Sequence, residues 1–85
     1  EDWSFEIDKP FVDENTDTIT IYCRNNDWES GAHTFNFTAS GATVTAVGGS
    51  ATASPSITPQ DHMGYFQVNI TNVTDSVVVT ITSIT

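Results

Sequence analysis

Apolar side chains recur at every second position through most of this chain. Trp3, Phe5 and Ile7 alternate with Ser4, Glu6 and Asp8. Ile19, Ile21 and Cys23 alternate with Thr18, Thr20, Tyr22 and Arg24. Phe35 and Phe37 flank Asn36, and Phe66, Val68 and Ile70 alternate with Gln67, Asn69 and Thr71. Val77, Val79 and Ile81 alternate with Val78, Thr80 and Thr82. Successive side chains of an extended backbone point to opposite faces, so each run reads as a strand with one face to a core and one to water. The many Thr and Val residues reinforce this, because β-branched side chains are crowded in a helix and fit a pleated surface. No window has apolar spacing of three and four with helix caps.

Turn signals separate the runs. Lys9-Pro10 ends the first, and Asp13-Glu14-Asn15 is a polar link. Asn25-Asn26-Asp27 and Ser30-Gly31 bracket Trp28. Ser40-Gly41 and Gly48-Gly49-Ser50 flank a weaker strand from Ala42 to Val47. Pro55 limits Ala51 to Ile57 to an edge strand, because proline has no N–H for a ladder. Asp61 to Gly64 precedes the Tyr65 run, and a long last strand runs from Ser76 to Ile84. Short alternating strands with frequent turns predict an all-β sandwich of about seven antiparallel strands in a single domain, 1–85. Tyr22 and Val78 fall on the outer face of their runs, so part of the outer surface is apolar.

Composition narrows the partners. The 85 residues hold 11 acidic and 2 basic side chains, a formal charge of −9. Lys9 and Arg24 cannot build a phosphate-neutralising patch, so the expectation is no nucleic acid and no anionic membrane surface. No apolar run reaches the roughly 18 residues that span a bilayer, so no membrane insertion is expected. Glu1-Asp2-Trp3 is not a basic region ahead of an apolar stretch, so the chain reads as a mature fragment or excised domain. Cys23 is the only cysteine. It reads as a small buried hydrophobe, and no neighbouring cation or histidine in sequence favours its thiolate.

The candidate sites are few. Asn26, Asp27, Trp28 and Glu29 form a loop in which an indole could stack on a sugar ring while the polar groups bond its hydroxyls. Tyr22 and Tyr65 are candidate neighbouring platforms. The competing reading has Trp28 folded back over an open end of the sandwich. Trp3 continues the alternation of Phe5 and Ile7 and reads as core edge. Asp13-Glu14-Asn15-Thr16-Asp17 could offer oxygens to Ca²⁺, but no Asp-x-Asp-x-Asp-Gly loop is present. His33 and His62 lie 29 residues apart without a ligand-spaced neighbour, so no metal site and no cofactor are expected. No nucleophile motif or phosphate loop occurs, and no catalytic residue is assigned. Three Asn-x-Thr sequons, at Asn36, Asn69 and Asn72, fall within what a Thr-rich chain produces by chance.

The stretch Gly64-Tyr65-Phe66-Gln67-Val68-Asn69-Ile70-Thr71-Asn72-Val73-Thr74-Asp75-Ser76-Val77-Val78-Val79-Thr80-Ile81 resembles the closing hairpin of bacterial and phage immunoglobulin-like modules, with Asn72-Val73-Thr74-Asp75 as its turn. Gly41-Ala42-Thr43-Val44-Thr45-Ala46 resembles a middle strand of the same modules. Asn26-Asp27-Trp28 is similar to the Asn-x-Trp turn of small carbohydrate-associated sandwich domains of gut bacteria, whose other hallmarks are missing. The resemblance implies an immunoglobulin-like β-sandwich on a cell or virion surface, partnered by a surface glycan or another surface protein.

Overall fold

In the structure, a computed structural model, residues 2–9 and 16–85 are described. Among them the chain forms strands and no helix: β1 (Trp3–Ile7), β2 (Thr16–Asn25), β3 (Gly31–Ala32), β4 (Phe35–Ser40), β5 (Thr43–Ala46), β6 (Thr52–Ala53), β7 (Ser56–Ile57), β8 (Met63–Thr71) and β9 (Val78–Ile84). Six strands have four or more residues, and β3, β6 and β7 have two each. Pro55 interrupts the expected strand from Ala51 to Ile57, leaving β6 and β7 on either side of Ser54-Pro55. All pairings are antiparallel, and the fold is all-β.

One sheet has the order β1-β2-β8-β5, a second has β6-β4-β9, and β3 pairs with β7. Register follows the hydrophobic pattern. Ile21 sits opposite Phe66 and Ile19 opposite Val68, while Val44 and Ala46 face Ile70 and Val68. These residues share one buried cluster with Phe35 and Phe37 of the other sheet, Ala53 and Ile57. The Phe37 and Phe66 rings stack across the layers at 6.3 Å. Phe35 meets Phe66 at 5.7 Å and the Trp3 edge at 5.0 Å. Burying such a side chain is worth about 1.5–3 kcal/mol, offset by the roughly 1–2 kcal/mol per residue needed to order the backbone.

The run after Gly64 is not a hairpin. β8 belongs to the first sheet and β9 to the second, so residues 72–77 cross between layers. Val73 and Val77 pack against the core on the way, and the Thr74 and Asp75 amides donate to the Gly41 carbonyl. Gly41 is fixed at φ +81°, where a Cβ would lie 2.0 Å from the Ser76 carbonyl oxygen. Only glycine allows that approach.

Two expected core positions are only partly covered. Ile21, Phe37 and Val68 are buried, but Phe5 is 42% exposed and Val79 is intermediate. Ile7, on the same side, is 52% exposed. The alternation in β9 also slips. Asn36 pairs with Ser83 and Phe37 with Ile81, so Thr82 is an extra, bulged residue. The bulge lets both Ile81 and Ile84 turn inward, although three positions separate them.

Candidate functional site

The outer face of the four-stranded sheet carries the Trp28 loop. Tyr22 and Arg24 point outward because Ile21, Cys23 and Asn25 point inward. Register places Tyr22 opposite Tyr65 and Arg24 opposite Met63. The two tyrosine rings stand 6.1 Å apart at 53°, with exposures of 41% and 60%. An open trough of about 540 Å³ lies beside them, lined by Tyr22, Tyr65, Met63, Ser56, Thr58 and Asp61.

Asn25 ends β2 and starts the loop. It is completely buried. Its side-chain oxygen accepts from the Asp27 amide at 2.9 Å. Its amide donates to the His62 carbonyl at 3.0 Å, and its carbonyl accepts from the Trp28 amide at 3.1 Å. This Asx-type turn mimics a backbone turn and brings Trp28 to φ +63°. The cost of that left-handed backbone is about 1–3 kcal/mol. The Arg24 guanidinium carbon lies 5.0 Å from the indole centroid. The His62 ring meets the indole edge-on at 4.6 Å. A cation over a tryptophan face is worth roughly 0.5–1 kcal/mol at an exposed site. Trp28 nevertheless stays 61% exposed. It is propped outward on Arg24 and is not folded over an end of the sandwich.

Arg24 is itself held. Its Nη1 donates to the Asp61 carbonyl at 3.0 Å. The Thr58 hydroxyl donates to the Asp61 carboxylate. That bond, helped by backbone amides and the Arg24 charge, keeps the Asp61 pKa below its ordinary value. His62 has φ +58°, and its Nδ1 and the Asn25 Nδ2 are buried without a hydrogen-bond partner.

The four loop residues chosen from sequence divide by role. The Asn26 amide donates to the Asp2 carbonyl at 2.7 Å. Asp27 Oδ2 accepts from the Asp2 amide at 2.8 Å. Both therefore tie the turn to the start of β1. Trp28 and Glu29 are exposed. Arg24 and His62 pack against Trp28, and Asp61 holds Arg24, without a sequence signal, because Asp61 and His62 come from the segment just before β8, which meets the end of β2 only in the fold. Tyr22 and Tyr65 do come together, as their outward parity and the register require.

The remaining candidates are structural in placement. His33 is half-buried, 4.9 Å from the Trp3 ring. Asp13, Glu14 and Asn15 of the acidic stretch lie outside the described residues. Asp17 accepts Lys9 Nζ at 2.8 Å, and that hydrogen bond lowers its pKa. Among the described residues no group of three His, Cys, Asp or Glu is placed to hold a metal ion. No helix among them is long and apolar enough to cross a membrane. Of the sequon asparagines, Asn36 bonds Ser83 and Thr52 across its sheet, and Asn69 accepts from Thr18.

What the site offers chemically is flat apolar area with polar edges: one propped indole, two phenols and the Thr58–Asp61 pair. Compared with protein-family models, with curated proteins and with solved structures, the chain matches none.

Proposed function

We propose that this chain is a non-catalytic structural and interaction module. It is an immunoglobulin-like domain displayed on a phage particle or bacterial surface as decoration, spacer or weak adhesin. The observation that carries this reading is the strand order. Numbering the six longer strands one to six along the chain, one sheet runs first, second, fifth, fourth, and the other pairs third with sixth. Immunoglobulin-like sandwiches have the same order in their first six strands. The −9 charge adds solubility and repels other acidic surfaces, as a displayed spacer requires. The test is the thermal melt of the isolated chain at neutral pH with and without chelator and reductant. A cooperative transition unmoved by either supports the module. A transition that collapses on chelation would sink it.

A second reading, a carbohydrate-binding platform, draws on the exposed Trp28 beside the Tyr22–Tyr65 pair. It predicts a tryptophan fluorescence change on titration with soluble polysaccharides, lost in Trp28→Ala and weakened in Tyr65→Ala. Silence across a panel of α- and β-linked glycans removes it.

A further inference from the structure

One part of the outer sheet face is built around a pair of rings. Tyr22 and Tyr65 are register partners on β2 and β8. Their rings stand 6.1 Å apart at 53°. Both line the trough of about 540 Å³, whose other walls come from Ser56, Thr58, Asp61, Met63 and Gly64. Gly64 has no side chain to fill the trough, and Met63 adds a soft, polarizable apolar wall.

The only charge on these walls is negative. The Thr58 hydroxyl holds the Asp61 carboxyl below its ordinary pKa, so it is ionised at neutral pH. Register sets Glu6 opposite Tyr22 on the other flank. The neighbouring cation, Arg24, is turned to partners of its own: Nη1 donates to the Asp61 carbonyl, and the guanidinium lies against the Trp28 ring. Two carboxylates against one guanidinium leave the locality negative, in a chain of charge −9. Such a surface concentrates cations.

The kind of cation follows from the acceptors. The Asp61 carboxylate already accepts from the Thr58 hydroxyl and from backbone amides. A primary ammonium has three N–H donors to satisfy, and the water it gave up would not be replaced here. A quaternary ammonium donates no hydrogen bond. Its methyl groups can rest on the phenol rings and Met63 while its charge is drawn to the rings and to Asp61. A cation is attracted by an aromatic face within about 6 Å of the ring centroid. Two rings 6.1 Å apart both come within that reach of one group.

We propose that this trough binds a small quaternary ammonium alcohol of the choline type. The trimethylammonium group lies against Tyr22 and Tyr65, Asp61 is its counter-ion, and its hydroxyl donates to Ser56 or Thr58. A phosphate or carboxylate on the same ligand would meet Asp61, Glu6 and the overall charge. The free alcohol is therefore the ligand, rather than phosphocholine or a betaine.

The assignment rests on the interaction-module reading and names a ligand for it. The intact chain is titrated with choline chloride and followed by NMR. Parallel titrations use ethanolamine, phosphocholine, the uncharged carbon isostere of choline, and a trimethyl-lysine peptide. Choline should shift the Tyr22, Met63 and Tyr65 signals saturably and bind about tenfold more tightly than ethanolamine, phosphocholine or the isostere. Tyr65→Phe should keep this binding. Tyr65→Leu and Asp61→Asn should each weaken it about fivefold with the circular dichroism spectrum unchanged. Val78→Thr, on the other sheet, should have no effect. Equal binding of the isostere, of ethanolamine or of phosphocholine would overturn the proposal. So would shifts centred on Trp28, or tighter binding of the trimethyl-lysine peptide than of choline. No response to choline from a chain that melts cooperatively with chelator present overturns this assignment and leaves the module reading standing. A saturable response at Tyr22 and Tyr65 from a chain that collapses on chelation supports the trough and sinks the module reading.

Discussion

Cys23 lies opposite Gly64 with no exposed surface, and burial pushes its thiol up to about 11 from 9.0. The Gly64 backbone hydrogen bond pulls weakly the other way. The sign of the consequence is fixed. Between pH 9 and 11 the unfolded chain releases this proton and the folded chain keeps it, so stability falls as pH rises through that window. The loss reaches about 2 kcal/mol by pH 11, at roughly 1.4 kcal/mol per unit, and vanishes below pH 9. Urea midpoints measured from pH 8 to 11 should show this slope, and Cys23→Ala should lack it. The same burial predicts that a thiol reagent reacts only after denaturation. Sequence position alone suggested the buried role, because Cys23 continues the inward parity of Ile19 and Ile21. Gly64 was less legible. Its glycine is required because a Cβ would lie 2.8 Å from the Ser56 carbonyl oxygen of β7, a neighbour eight residues back that packs there only in the folded sheet.

At the scale of the strand, β9 shows how tertiary pairing edits a pattern. Alternation predicts Val77, Val79 and Ile81 inward, and they do turn toward the core. Alternation would then put Ser83 inward and Ile84 outward. The Thr82 bulge reverses that, setting Ser83 opposite Asn36 and Ile84 opposite Phe35. Deleting Thr82 should therefore leave a regular ladder with the same residues facing in. The melting temperature should move by no more than about 5 °C, the effect of roughly 1 kcal/mol in a domain of this size. Deleting Thr80 keeps the chain equally short but throws Val79 to the outer face. It should cost several times as much, since a one-residue slip flips every side chain beyond it. Equal melting temperatures for the two deletions would show that the bulge does not set the register.

For the molecule as a whole, Phe35 is the residue through which the layers communicate. It is fully buried and touches Trp3 and Phe5 from β1 and Phe66 from β8. Phe35→Ala should cost about 3–5 kcal/mol. A chain of 85 residues has only about 4–13 kcal/mol in total. The variant should therefore be largely unfolded at 37 °C by circular dichroism, while Phe35→Leu retains a cooperative melt at lower temperature. The proportions of the fold agree with a thin double layer, 37 Å long and 21 Å in each other direction. A core this narrow has few residues to share the loss of one ring.

The sequence by itself determined which side of each strand is oily, where the chain turns, and that no helix competes, because side-chain alternation and turn chemistry are local properties of the backbone. It also placed Trp28 in a polar turn and Tyr22 on an outer face. The tertiary structure alone decided that β8 and β9 part into different sheets, since that choice depends on the strands each one meets, β2 and β5 for β8 and β4 for β9. It alone set Arg24 and His62 around the indole, and it left Phe5 and Ile7 uncovered beside β9. Such outcomes depend on which distant strand lies opposite, and a period of two is the same whether a strand has a neighbour across the layer or open water.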